Sequence, residues 1–135
     1  MMDEKTGVKE TSYEYGEEYQ RIQVEKYRDR KNNHWKNRIE LAHRLVDQYV
    51  LARFSNRALK DIVVTDVGTS IGTFAIEFAK RGFRTYGIDF DAKALKIAEG
   101  LAREDNVSPT FMQADVGDWP RDLPPIDVAV CFDIF

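Results

Sequence analysis

Cysteine, proline and net charge are all small in this sequence, and each scarcity removes a class of protein. A single cysteine, Cys131, cannot close an internal disulfide, which fits a reducing compartment. Four prolines and eight glycines are scattered along 135 residues, and no repeat or low-complexity tract is visible. Twenty basic side chains stand against 23 acidic ones, so no global field draws the chain to nucleic acid or an anionic membrane. No apolar run approaches the roughly 18–20 residues of a membrane span. Met1–Glu10 lacks the apolar stretch of a secretion leader, and the cytoplasm is the expected location. The two histidines, His34 and His43, lack the spacing of metal ligands, so no metal site is expected.

What is present has the composition of a globular domain, 43% hydrophobic and 32% charged. Residues 1–20 are acidic and poor in aliphatics, and read as a flexible tail whose large apolar side chains are Tyr13, Tyr15 and Tyr19. Residues 21–56 read as a helical segment. Within it Trp35, Ile39, Ala42, Val46, Tyr49 and Val50 fall on one helical face. Residues 57–135 alternate strands with helices. Strands are expected at Asp61–Val67, Arg84–Asp89, Thr110–Gln113 and Asp127–Phe132, with helices at Ile71–Lys80 and Ala92 to about Arg103. Gly82 stands where a left-handed helix cap belongs, and Asp91 where a side chain can cap the next helix.

That alternation implies an α/β fold with a parallel sheet. Strand four is apolar at both parities, as an inner strand covered on both faces should be. It stands near the end of the sequence. The expectation is that further sheet lies outside these residues or comes from another chain, for instance a homodimer through that strand edge.

The chemistry concentrates in D-I-V-V-T-D-V-G-T-S-I-G, Asp61–Gly72, and in Asp89 about twenty residues after the first glycine. A strand ending in an acid, a sharp glycine turn, a helix, and a second strand ending in an acid make the layout of a nucleoside-binding βαβ unit. Two of the three glycines of a nicotinamide site are missing, since Ser70 and Thr73 hold their places. A triphosphate loop is excluded because no Gly-Lys-Ser/Thr follows.

The pattern D-x-G-x-S-x-G resembles motif I of the class I S-adenosylmethionine-dependent methyltransferases, with Ser70 at the usual middle glycine. The resemblance implies a doubly wound, Rossmann-like sheet, of which these residues would supply the first four strands in the order 3-2-1-4 after an N-terminal helical extension. It implies S-adenosylmethionine as cofactor, transfer of a methyl group to an acceptor the residues do not name, and a cofactor site at Asp66, Gly68, Thr69, Ser70, Gly72, Asp89, Phe90, Ala114, Asp115 and Phe132. In that site Asp66 lies near the cofactor ammonium and Asp89 takes both ribose hydroxyls. Phe90 covers adenine, Asp115 accepts from its exocyclic amine, and Phe132 faces the methionine and acceptor side. No catalytic base is singled out.

Blander roles compete for several residues. Asp118 rivals Asp115 for the adenine assignment. Cys131, in mid-strand, reads as packing rather than as a nucleophile. His34 and His43 read as solvated or capping groups. The three N-terminal tyrosines read as docked on the surface before they read as a lid. Arg21–Arg44 holds eight basic and three acidic residues, and reads as a solvated face rather than a nucleic-acid contact. A non-catalytic interaction module is the alternative to an enzyme.

Overall fold

In the computed structural model, residues 16–29, 33–115 and 117–132 are described. Two helices, α1 (Glu17–Arg28) and α2 (Asn33–Leu45), precede an alternating unit of β1 (Val63–Val67), α3 (Thr73–Arg81), β2 (Arg84–Asp89), α4 (Ala92–Glu104), β3 (Thr110–Gln113) and β4 (Val128–Val130). The four strands form one parallel sheet in the order β3-β2-β1-β4. The α/β, Rossmann-like expectation and its strand order therefore hold.

Local chemistry explains most boundaries. Gly82 caps α3 at φ 105°, where its amide bonds back to Ala79. Asp91 caps α4, its Oδ1 accepting from the Lys93 and Ala94 amides at 3.0 and 3.2 Å. The stripe Ala94, Leu95, Ala98, Leu101 is buried as its spacing requires. Two boundaries move. Leu59–Asp61 winds into a 3-10 turn, closed by the Ile62 amide on the Leu59 carbonyl, so β1 starts after Asp61. Helix α3 starts at Thr73 rather than Ile71, because Gly68, Ser70 and Gly72 all take positive φ.

Four expectations are corrected. Helix α1 begins at Glu17, inside the segment expected as tail, because Gln20 and Tyr27 on one side of it are buried. Residues 1–15, with Tyr13 and Tyr15, lie outside the described residues. Tyr49 does not share the buried face of Val46: it is 61% exposed. The cause is a π-helical turn over Val46–Val50, in which the Leu51 amide bonds to the Val46 carbonyl and the extra residue rotates Tyr49 outward. Strand β4 is shorter than expected, and Asp127 turns its carboxylate onto the Val63 amide and Arg57 instead. Among the described residues β4 pairs with β1 alone, so Cys131 is exposed rather than packed.

The core has two clusters. One joins Trp35, Ile39, Ala42 and Val46 to Ile62, Val64, Phe74, Phe78 and Phe83. The other joins Tyr27 of α1 to Ile71, Ile76, Ala94, Leu101 and Ala102. Helix α1 lies along α4. Gln20 Nε2 donates to Asp91 Oδ2 at 3.3 Å near one end, while the Tyr27 hydroxyl donates to Asp105 and Arg28 pairs with Glu104 near the other. No helix among the described residues is long and apolar enough to cross a membrane.

Candidate cofactor cleft

The carboxyl ends of parallel strands leave a crevice where neighbouring loops diverge, and ligands of open α/β sheets bind there. In this protein the crevice lies over the ends of β1, β2 and β4, with a volume of about 290 Å³. Its floor is the turn after β1. The Gly68 and Thr69 amides both donate to the Ile88 carbonyl, at 2.8 and 3.0 Å, and the Gly72 amide closes the turn on the Thr69 carbonyl at 2.8 Å. Glycine suits Gly68 at φ 74°. Ser70 sits at φ 53°, a left-handed conformation that costs a side-chain-bearing residue free energy.

A tether holds Ser70 there. Its amide donates to Asp89 Oδ2 at 2.8 Å, and the Asp91 amide donates to Asp89 Oδ1 at 2.9 Å. Each oxygen then keeps acceptor capacity on the cleft side, since a carboxylate offers about four lone-pair sites. The Ala114 amide donates to the Asp89 carbonyl and Gln113 to the Phe90 carbonyl, which fixes the β2 end against the β3 end. Phe90 is 44% exposed and lines the cleft.

Asp66 is 2% exposed. Burial pushes its carboxyl up to about 7, and the charge of Asp89 adds to the rise. The Thr69 hydroxyl, donating at 2.8 Å, and the Ala75 amide at the start of α3 hold it back.

Eight of the ten residues expected in the site line this cleft: Asp66, Gly68, Thr69, Ser70, Asp89, Phe90, Ala114 and Phe132. Gly72 and Asp115 do not. Gly72 acts through packing, for a Cβ there would lie 2.9 Å from both Ala98 Cβ and Phe111 Cζ. The Asp115 side chain is exposed and accepts from the Gly117 amide at 3.1 Å, the local turn that competes with an adenine role. Sequence reasoning missed Gln23, Trp35, Thr73, Phe74 and Trp119, and gave Tyr19 a surface role, yet all six line the cleft. Trp35 carried a signal, as the aromatic at the start of an apolar face. Tyr19 carried one as well, in the lid reading, and the others carried none. His43 packs edge-on against Phe78 beside Glu77 and Arg81, away from the cleft. Among the described residues no cluster of His, Cys, Asp or Glu could hold a metal ion.

A family model described as a methyltransferase domain matches residues 64–135, more than half of the chain. The chain belongs to that family. The matched residues begin in β1 and contain the whole glycine turn and Asp89. Among curated proteins, the methyltransferase domain is similar to the ubiquinone biosynthesis O-methyltransferase of Rickettsia akari (strain Hartford). The two are 27% identical over 90 residues, 64% of this chain and 36% of that protein. Among solved structures it is similar to magnesium protoporphyrin IX methyltransferase from Synechocystis PCC 6803, crystallised with bound SAH. That match has 28% identity and a TM-score of 0.53, over 71% of this chain and 44% of that one. A structure from echinomycin biosynthesis shares the fold at 21% identity and a TM-score of 0.52, over 62% of this chain and 34% of that one. The chain thus spans less than half the length of each of these relatives.

Proposed function

We propose that this chain binds S-adenosylmethionine in the cleft and is the cofactor-binding part of an enzyme that methylates a small or macromolecular acceptor. The observation that carries the reading is Asp89. Its carboxylate stands at the end of β2, held by the Ser70 and Asp91 amides, and Asp89 lines the cleft. Two adjacent acceptor oxygens in a fixed orientation suit the two hydroxyls of a ribose.

The remaining residues fit the rest of such a ligand. The exposed Phe90 ring offers adenine an apolar face. The first turn of α3 presents backbone amides, and Thr73 Oγ1 in that turn is buried without a hydrogen-bond partner among the described residues. A helix start of that kind favours a carboxylate. Asp66 supplies negative charge to a neighbouring ammonium when it is deprotonated.

Bound there, the cofactor supplies a methyl group already activated on a sulfonium. What these residues contribute is position: the turn and Asp89 orient the ligand, and the aromatic side chains wall the crevice. Isothermal titration with S-adenosylmethionine and with SAH tests the reading. Saturable binding in the micromolar range is the expected result. A folded sample giving no heat at high micromolar ligand would overturn it.

A further inference from the structure

We infer that the part of the cleft formed by Tyr19, Trp35, Phe74 and Phe132 receives the methyl acceptor, and that this acceptor is an uncharged aromatic ring. The inference rests on the function proposed above. Its first support is position. Asp89 ends β2, whereas Phe132 follows β4, two strands away in the order β2-β1-β4. At about 4.8 Å per strand, the two sides of the cleft stand roughly 10 Å apart. A nucleoside held at Asp89 and Phe90 leaves the β4 side for other chemistry.

The second support is shape. The Phe74 and Phe132 rings lie 4.5 Å apart between centroids, tilted by 35°, and Phe74 meets Trp35 at 5.9 Å. Tyr19, 40% exposed on α1, adds a further aromatic face to the cleft. A flat guest resting on the exposed Tyr19 ring beside them gains contact energy beyond the burial of area, which an aliphatic guest cannot match.

The third support is charge. Among the described residues lining the cleft there is no Lys, Arg or His, while Asp66 and Asp89 both line it. The Arg38 guanidinium lies 5.7 Å from the Trp35 ring centre and 5.9 Å from that of Phe74, and does not line the cleft. With the α3 amides given to the cofactor's carboxylate, a phosphate or carboxylate acceptor would find no counter-charge among the described residues lining the cleft. A protonated amine has no lone pair to attack with. An uncharged ring bearing a hydroxyl fits, with the Gln23 amide, also lining the cleft, able to donate to it or accept from it. In the transfer, a lone pair of the acceptor oxygen forms the bond to the methyl carbon. The carbon–sulfur pair returns to sulfur, and the hydroxyl proton leaves to water.

The experiment uses the full chain saturated with SAH and three probes of matched size, 2-naphthol, 2-naphthyl phosphate and decahydro-2-naphthol, followed by calorimetry. Naphthol should bind saturably and at least about tenfold more tightly than either of the other two, a gap of about 1.4 kcal/mol. Tyr19→Ala and Gln23→Ala should each weaken naphthol at least about threefold while shifting SAH affinity less. Equal or tighter binding of the phosphate or the saturated alcohol overturns the inference, as does failure of naphthol to bind the SAH-loaded chain. Absence of SAH binding itself overturns the proposed function, and this inference with it. SAH binding without naphthol binding overturns this inference alone.

Discussion

The Ser70 amide donates to the Asp89 carboxylate at 2.8 Å, so the turn after β1 and the acid at the end of β2 form one unit. Nineteen residues separate the two. A left-handed serine is held in place by the same carboxylate that faces the cleft, and loop shape and ligand contact therefore depend on each other.

Replacing Asp89 by alanine removes both the tether and the diol acceptor. Charge-assisted hydrogen bonds contribute about 1.5–3 kcal/mol each. Loss of the pair should weaken S-adenosylmethionine by about a hundredfold or more in calorimetry. An unchanged dissociation constant for Asp89→Ala would remove Asp89 from the site.

Asp66 makes both stability and binding depend on pH. Its carboxyl, pushed up to about 7 by burial, stays protonated in the folded chain where the unfolded chain has ionised near 3.8. The folded state then binds more protons between those values, so its contribution to stability falls as pH rises from about 4 to 7. Denaturant titrations across that range should show the decline, and Asp66→Asn should flatten it. Binding runs the other way. If the ligand ammonium needs the Asp66 charge, affinity rises through pH 7, by up to about tenfold per unit below it. A flat profile from pH 5.5 to 7.5 in the unsubstituted chain would remove that role.

Gly87 is required by close approach rather than by a special dihedral angle. A Cβ there would lie 2.7 Å from Phe111 Cδ1 and 2.9 Å from Thr69 Oγ1. Gly87→Ala should destabilise the fold by about 1–3 kcal/mol, as overpacked cores do. Combining it with Phe111→Leu should recover part of that loss in urea unfolding. Strictly additive losses in the double variant would show that the ring is not the obstacle.

Asp127 ties the start of β4 to that of β1. Its Oδ2 accepts from the Val63 amide at 2.8 Å and from Arg57 at 2.9 Å. Arg57 and, after it, that amide hold its carboxyl below the usual carboxylate range. Stability from this group is present above about pH 4 and lost as acid protonates it. Asp127→Ala should cost about 1 kcal/mol for the orphaned Val63 amide. It should also make the chain less sensitive to pH below 4, as acid unfolding followed by circular dichroism will show.

Much of this was legible in the residues alone. Val63–Val67 announces a strand through its β-branched run and Arg84–Asp89 through its place between two helical patterns, Gly82 and Asp91 announce helix ends, and Gly68 with Asp89 announces the crevice. These signals are local. Period and turn chemistry act over a few residues and survive into the fold unchanged. The exceptions show where that logic stops. Tyr49 belongs to the apolar face by spacing, and one π-helical turn takes it out. Asp115 follows β3 as an adenine-contacting acid should, yet it does not line the cleft, and its Oδ1 accepts from the Gly117 amide.

The sequence by itself determined the order of strands and helices, the glycine turn and the two strand-end acids, because each depends on neighbours within about a dozen residues. Only the tertiary structure decided that Tyr19, Gln23 and Trp35 complete the cleft. The placement of Tyr19 and Gln23 follows from α1 lying along α4 through Gln20 on Asp91, residues 71 apart in the chain, and that of Trp35 from α2 packing on Phe74 of α3. Contacts at that separation arise from how whole helices pack. No periodicity in either helix encodes which partner its polar side chains will meet.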